Sequence, residues 1–131
     1  MPLKLSLKPG ETFIVNGAVV RNGDRRGVLL LENQARVLRE KDIMHADEAV
    51  TPASRCYFAV MQMYLTGKSE GRIYDQFARA LAELMGEVKA EDDRLQALKV
   101  SELVSSGNLY KALGQCRKLV SAEAKAAGKA A

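Results

Sequence analysis

With 131 residues, 47% of them apolar and 27% charged, the chain can build one small domain, or a domain with a helical extension, and is too apolar for wholesale disorder. A formal charge of +4 permits an acidic partner without requiring one. The longest strongly apolar helical stretch, "CYFAVMQMYL" (Cys56–Leu65), is about half of the ~20 residues a membrane span needs, and "MPLKLSLKPG" is too interrupted by lysine and proline to be a signal peptide.

The pattern changes near residue 40. Before it the period is two and turns come quickly; after it the period is near 3.6 and glycine is sparse. "LKLSL" (Leu3–Leu7) alternates as a half-buried strand, and Pro9-Gly10 turns the chain into a second strand, Thr12–Val15. Asn16-Gly17 suits a two-residue type I′ hairpin, because both residues tolerate positive φ. A short strand, Ala18–Arg21, a turn at Asn22–Asp24, a strand over Arg26–Glu32 and a fifth over Ala35–Arg39 complete an antiparallel β-meander, as a small sheet or a barrel. In the fourth strand Val28 and Leu30 face one side and Leu29 and Leu31 the other, so a second layer or a second copy of the chain is expected to cover it. A homodimer is the expected assembly.

Helices follow. Thr51-Pro52 supplies an N-cap hydroxyl and a proline at the first helical position. The helix it opens, Pro52–Thr66, is apolar nearly all round from Cys56 to Leu65 and so belongs in a core. Gly67 stops it. A second helix starts near Ser69 with Ile73, Phe77, Leu81, Leu84 and Val88 on one stripe. Glu91, Asp92 and Asp93 open a third that runs to about Ser105, and Gly107-Asn108 separates it from a fourth lined by Leu109, Leu113, Cys116 and Val120. The fold class is therefore α+β: a β-rich module over residues 1–45, a bundle of about four helices over 46–123, and a frayed Ala/Lys tail over 124–131. Cys56 and Cys116 both fall among apolar residues, so reduced, buried thiols are expected, with a bridge between them as the alternative.

Catalysis is not expected. There is a single histidine, His45, in the polar bend between the two halves, and one histidine with two distant cysteines offers no metal site. Glu91, Asp92 and Asp93 are explained by a helix N-terminus, and Gly17, Gly23 and Gly27 lack the following helix of a phosphate loop. No cofactor is implied. The charge distribution is more informative: up to His45 there are eight Lys/Arg against five Asp/Glu, and beyond it twelve against eleven. Arg21, Arg25, Arg26, Arg36, Arg39 and Lys41 lie in or beside the strands, where guanidinium groups can fork onto phosphates, and they are the candidate RNA-binding residues. Phe13 is the one aromatic of the sheet, so the base-stacking platform of an RRM is absent. In the first helix, Tyr57, Met61 and Tyr64 fall on one side and are candidates for binding a partner helix.

Four stretches, "LKLSLKPGETFIVNGAVVRNGDRRG", "VLREKDIM", "YFAVMQMYL" and "YKALGQCRKLV", resemble in order and spacing the FlbT family of flagellar biosynthesis regulators of alphaproteobacteria. The resemblance runs from residue 1 to about 123. It implies a cytoplasmic post-transcriptional regulator that binds the 5′ leader of flagellin mRNA, repressing translation or promoting decay in some species and supporting expression in others, and linked with a companion protein, FlaF. The alternative it leaves is a regulator that acts through flagellin, FlaF or the export apparatus without touching RNA. A fainter similarity joins "PGETFIVNGAVV" and "VLREKDI" to the carbon storage regulators, small β-rich dimers that clamp mRNA leaders. Gly10-Glu11-Thr12 falls on their "GET" turn, and Arg39-Glu40 on the "RE" of their last strand. No arginine pair follows the first strand here, and no histidine precedes Arg39.

Overall fold

The computed structural model describes residues 3–130, with side chains through residue 128. The chain divides into two compact units, one ending at Ile43 and the other beginning at Met44, two residues ahead of the boundary expected from composition.

The first unit holds five strands, β1 (Leu3–Leu7), β2 (Thr12–Val15), β3 (Ala18–Arg21), β4 (Gly27–Leu31) and β5 (Val37–Arg39). All pairings are antiparallel, but the order departs from a simple meander: β1 pairs with β4, while β2 lies between β3 and β5. The inward-facing leucines explain the crossover. Leu5 and Leu7 of β1 and Leu29 and Leu31 of β4 form one inner layer, which packs on Phe13 and Val15 of β2 and Val37 of β5. The two small sheets thus share one apolar core, as the layers of a small sandwich. The other side of β4 is not covered within this unit, and Val28 and Leu30 are 58% and 55% exposed. Asn16 (φ 49°) and Gly17 (φ 86°) make the expected tight hairpin between β2 and β3.

The second unit contains α1 (Pro52–Thr66), α2 (Arg72–Glu87), α3 (Glu91–Ser105) and α4 (Leu109–Ala130). Thr51 caps α1, its Oγ1 accepting the Ser54 N–H at 3.2 Å while Ser54 Oγ accepts the Thr51 N–H at 2.8 Å. Glu123 of α4 adds its Oε2 as acceptor for the Ala53 N–H at 3.1 Å, so the same helix end also receives a carboxylate. Gly67, left-handed at φ 73°, closes α1 by donating its N–H to the Met63 carbonyl. α1 packs against both α2 and α4, and α3 against α4. As a result Cys56, Val60 and Met63 of α1 are fully enclosed, with Phe77, Leu84, Val100, Leu113 and Cys116 from the other helices. Both cysteines are free and buried. Burial pushes the Cys56 thiol up to about 12, and Cys116 rises for the same reason. Neither therefore offers a thiolate near neutral pH. α4 continues to Ala130, past the point near residue 123 where a frayed tail was expected; alanine and lysine favour helix without needing to bury anything. Residue 131 of that tail lies outside the described residues.

Candidate nucleic-acid interface

The β1–β2 connection organises one end of the first unit. Pro9 and Gly10, with Gly10 at φ 70°, form a turn in which the Glu11 N–H donates to the Lys8 carbonyl at 3.1 Å. Asn22 staples the next loop to this turn. Its side-chain amide donates to the carbonyls of Lys8 (2.8 Å) and Arg25 (2.9 Å), and its own N–H donates to the Glu11 carbonyl at 2.8 Å. Gly10 N–H reaches the Gly23 carbonyl at 2.9 Å. The segment carrying Arg25 and Arg26 is thus a loop of defined backbone, and it lies beside Lys8.

Arg21 ends β3 opposite Thr12 at this same end of the sheet. The Thr12 N–H donates to Glu40 Oε1 at 2.9 Å, which draws in the short 3-10 turn Glu40–Asp42 and with it Lys41. An open cleft of about 650 Å³ lies here, lined by Lys8, Pro9, Gly10, Glu11, Arg39, Glu40 and Lys41. Lys8, Arg21, Arg25, Arg26 and Lys41 are exposed, and among the described residues none of them is ion-paired. Asp24, Glu40 and Asp42 share this end and moderate its field.

Two of the six expected RNA contacts fall elsewhere or are already engaged. Arg39 is half-buried and forked onto Glu11, with Nε to Oε2 and Nη2 to Oε1 each at 2.9 Å; Nη2 also donates to the Ser6 carbonyl at 2.7 Å. Glu11 is held below the usual carboxylate range, first by the Lys8 N–H and then by Arg39. Arg39 thus ties β5 to the β1–β2 turn, and its fork is not offered to a ligand. Arg36 is exposed but sits at the opposite end of β5, where its N–H donates to Asn16 Oδ1 at 2.9 Å. Three residues of strand put it about 10 Å from Arg39. Lys8 takes a place at the basic end that the six expected residues did not include, and the proline-glycine turn beside it was its sequence signal.

The expected partner-binding face is corrected more firmly. Tyr57 and Met61 are 4% and 5% exposed, because α1 is covered by two helices and has no open side along those positions. Tyr64 is half-buried and leans on Tyr110 of α4, ring centroids 5.6 Å apart and tilted by 46°. Tyr57 and Met61 fill the core, and Tyr64 lies at its margin.

Among the described residues no group of three or more His, Cys, Asp or Glu is placed to hold a metal ion, and no helix is long and apolar enough to cross a membrane. A small β-sandwich with a cationic end, followed by a four-helix unit, defines an α+β protein whose exposed chemistry is charge. Residues 3–127 match the family described as "Flagellar protein FlbT". A protein from a Caulobacter species, named a probable flagellum biosynthesis repressor protein FlbT, is 57% identical over 123 residues, which is 94% of both chains. The flagellum biosynthesis repressor protein FlbT of Caulobacter vibrioides is 53% identical over 94% of this chain and 87% of its own. A probable FlbT repressor from Rhodopseudomonas palustris is 37% identical over 94% of this chain and 95% of its own. No solved structure matches. The chain belongs to the FlbT family.

Proposed function

We propose that this protein is a regulator of flagellum biosynthesis that acts by binding the 5′ leader of flagellin mRNA through the cationic end of its β-sandwich. The regulatory part of this reading follows the repressor names of its relatives. The RNA part rests on one observation: Lys8, Arg21, Arg25, Arg26 and Lys41 are held at one end by stapled turns, exposed and, among the described residues, without ion-pair partners. Phosphate contacts of this kind position a protein on a strand and carry no sequence code of their own. Occupying a leader alters its translation or decay, which is all a repressor of this kind needs to do.

The test is a mobility-shift titration of a flagellin leader with the purified chain and with Arg25→Ala/Arg26→Ala. Losing two phosphate contacts should weaken binding about 25-fold at roughly 0.1 M salt, since each contributes about 0.7 to the logarithmic salt slope on a single strand. The thermal midpoint should hardly move, because both side chains are exposed. A leader that is not shifted even at low salt would favour a regulator that works through proteins alone.

Self-association belongs to the same reading. β4 presents Val28 and Leu30 to solvent beside Lys4 and Ser6 of β1, a small apolar face on a sheet of two strands. Sedimentation equilibrium should find a dimer for the chain and a monomer for Val28→Lys/Leu30→Lys; an unchanged mass would remove this face from the interface.

A further inference from the structure

α3 and α4 form a hairpin closed by Gly107 (φ 82°), with the Asn108 N–H donating to the Leu103 carbonyl at 2.8 Å. The groove along their outer side is open and holds about 780 Å³. Its walls carry Lys99 from α3, which is paired with Glu102 at 3.6 Å, and Lys111, Arg117, Lys118 and Lys125 from α4, with Asp93 the acidic residue of the lining. The three α4 lysines recur every seven residues, so they stack along one face at intervals of about 10.5 Å. All three are exposed, and among the described residues none is ion-paired. Half-buried Gly114 and Ala122 lie between them, and a Cβ placed on Gly114 would meet nothing within 4 Å. The groove therefore carries its three unpaired lysines along the α4 rim and is low along its middle.

We propose that this groove docks an acidic amphipathic helix of a partner protein, with small apolar residues on the groove floor and glutamates or aspartates along the lysine rim. Three observations select that occupant. A seven-residue spacing of lysines matches the repeat at which a packed helix presents its flanking charges. A cleft between two helices accepts a third at ordinary interaxial distances of about 8–10 Å. No aromatic residue lines the groove, so it lacks the stacking surface that holds single-stranded RNA bases. This surface differs from the α1 positions that the sequence nominated, and it does not depend on RNA binding at the sandwich.

The probe is a fluorescein-labelled synthetic helix of three heptads, with glutamate at the two flanking positions of each heptad and alanine and leucine between them. A control peptide carries glutamine in place of glutamate. Anisotropy titrations at low salt use the full chain and three variants, each checked by circular dichroism. Gly114→Gln adds bulk to the floor without charge and favours the helix. Lys111→Glu/Lys118→Glu/Lys125→Glu reverses the rim. Arg25→Ala/Arg26→Ala leaves the groove intact. The acidic peptide should bind the chain and the arginine variant alike, and each groove variant should weaken it by about tenfold or more, the rim variant through a few ion pairs lost together and Gly114→Gln through the bulk it puts on the floor. Equal binding of the glutamine peptide would overturn the proposal, as would indifference to either groove variant. Displacement of the peptide by a single-stranded RNA oligonucleotide would make the groove a general polyanion site. Loss of self-association in the rim-reversed variant would assign it to a second copy of the chain. Either result would also overturn the proposal.

Discussion

Glu11 is enclosed by donors, with the Lys8 N–H at 3.0 Å from Oε1 and the Arg39 fork on both oxygens. This explains why one arginine near the basic end is structural while its neighbours are free. Because its folded pKa is lowered, the ionised Glu11 contributes stability above the ordinary carboxylate value of 4.5, and that contribution is lost as pH falls through the folded value. Unfolding monitored across the acid range should show the chain losing stability below about pH 4.5, and Glu11→Gln should flatten that limb while lowering stability at neutral pH. An unchanged acid limb would mean that the pairing contributes nothing. At this scale the sequence distinguished poorly. Arg36 and Arg39 look alike as letters, three residues apart in the chain, and only the pairing of β5 with β2 decides which meets Glu11. Asn22 was legible as a turn former, but its role in tying together Lys8 and Arg25 depends on contacts fourteen and three residues away in the chain.

Element boundaries were the most legible feature. The first three strands, and α1 with its Thr51 cap and Gly67 stop, begin and end where turn chemistry and periodicity put them. β4 and β5 are shorter than expected, since Asn22 holds the loop as far as Arg25, and Asn16 holds the backbone of Arg36 outside the β5 ladder. Strand order was not legible. The crossing of β4 to β1 follows from leucines on two distant strands sharing a core, and a local pattern does not encode which strands meet. The helical unit shows the same limit. The all-round apolarity of α1 correctly implied burial, yet that burial takes Tyr57 and Met61 away from any partner. Met61→Ala should therefore cost about 2–5 kcal/mol in urea unfolding, as for other large-to-small core changes. A loss below about 1 kcal/mol would indicate an open, partner-ready site instead.

For the molecule as a whole, the net charge of +4 understates what is available locally. The cations of the first unit are not spread evenly over its surface: five are held at one end, Arg39 is neutralised, and Lys4 and Arg36 stand apart. The concentration of charge before residue 45 was visible in the sequence. Its sorting into paired and unpaired groups required the fold. If the five exposed cations meet phosphates of a single-stranded leader, the logarithm of the binding constant should fall with the logarithm of salt at a slope of about −3.5. The decisive measurement is that slope for the chain and for Arg25→Ala/Arg26→Ala, on the same leader RNA. The expected slopes are about −3.5 for the first and about −2.1 for the second. Equal slopes for the two proteins, or no binding at the lowest salt, would contradict RNA binding through this basic end.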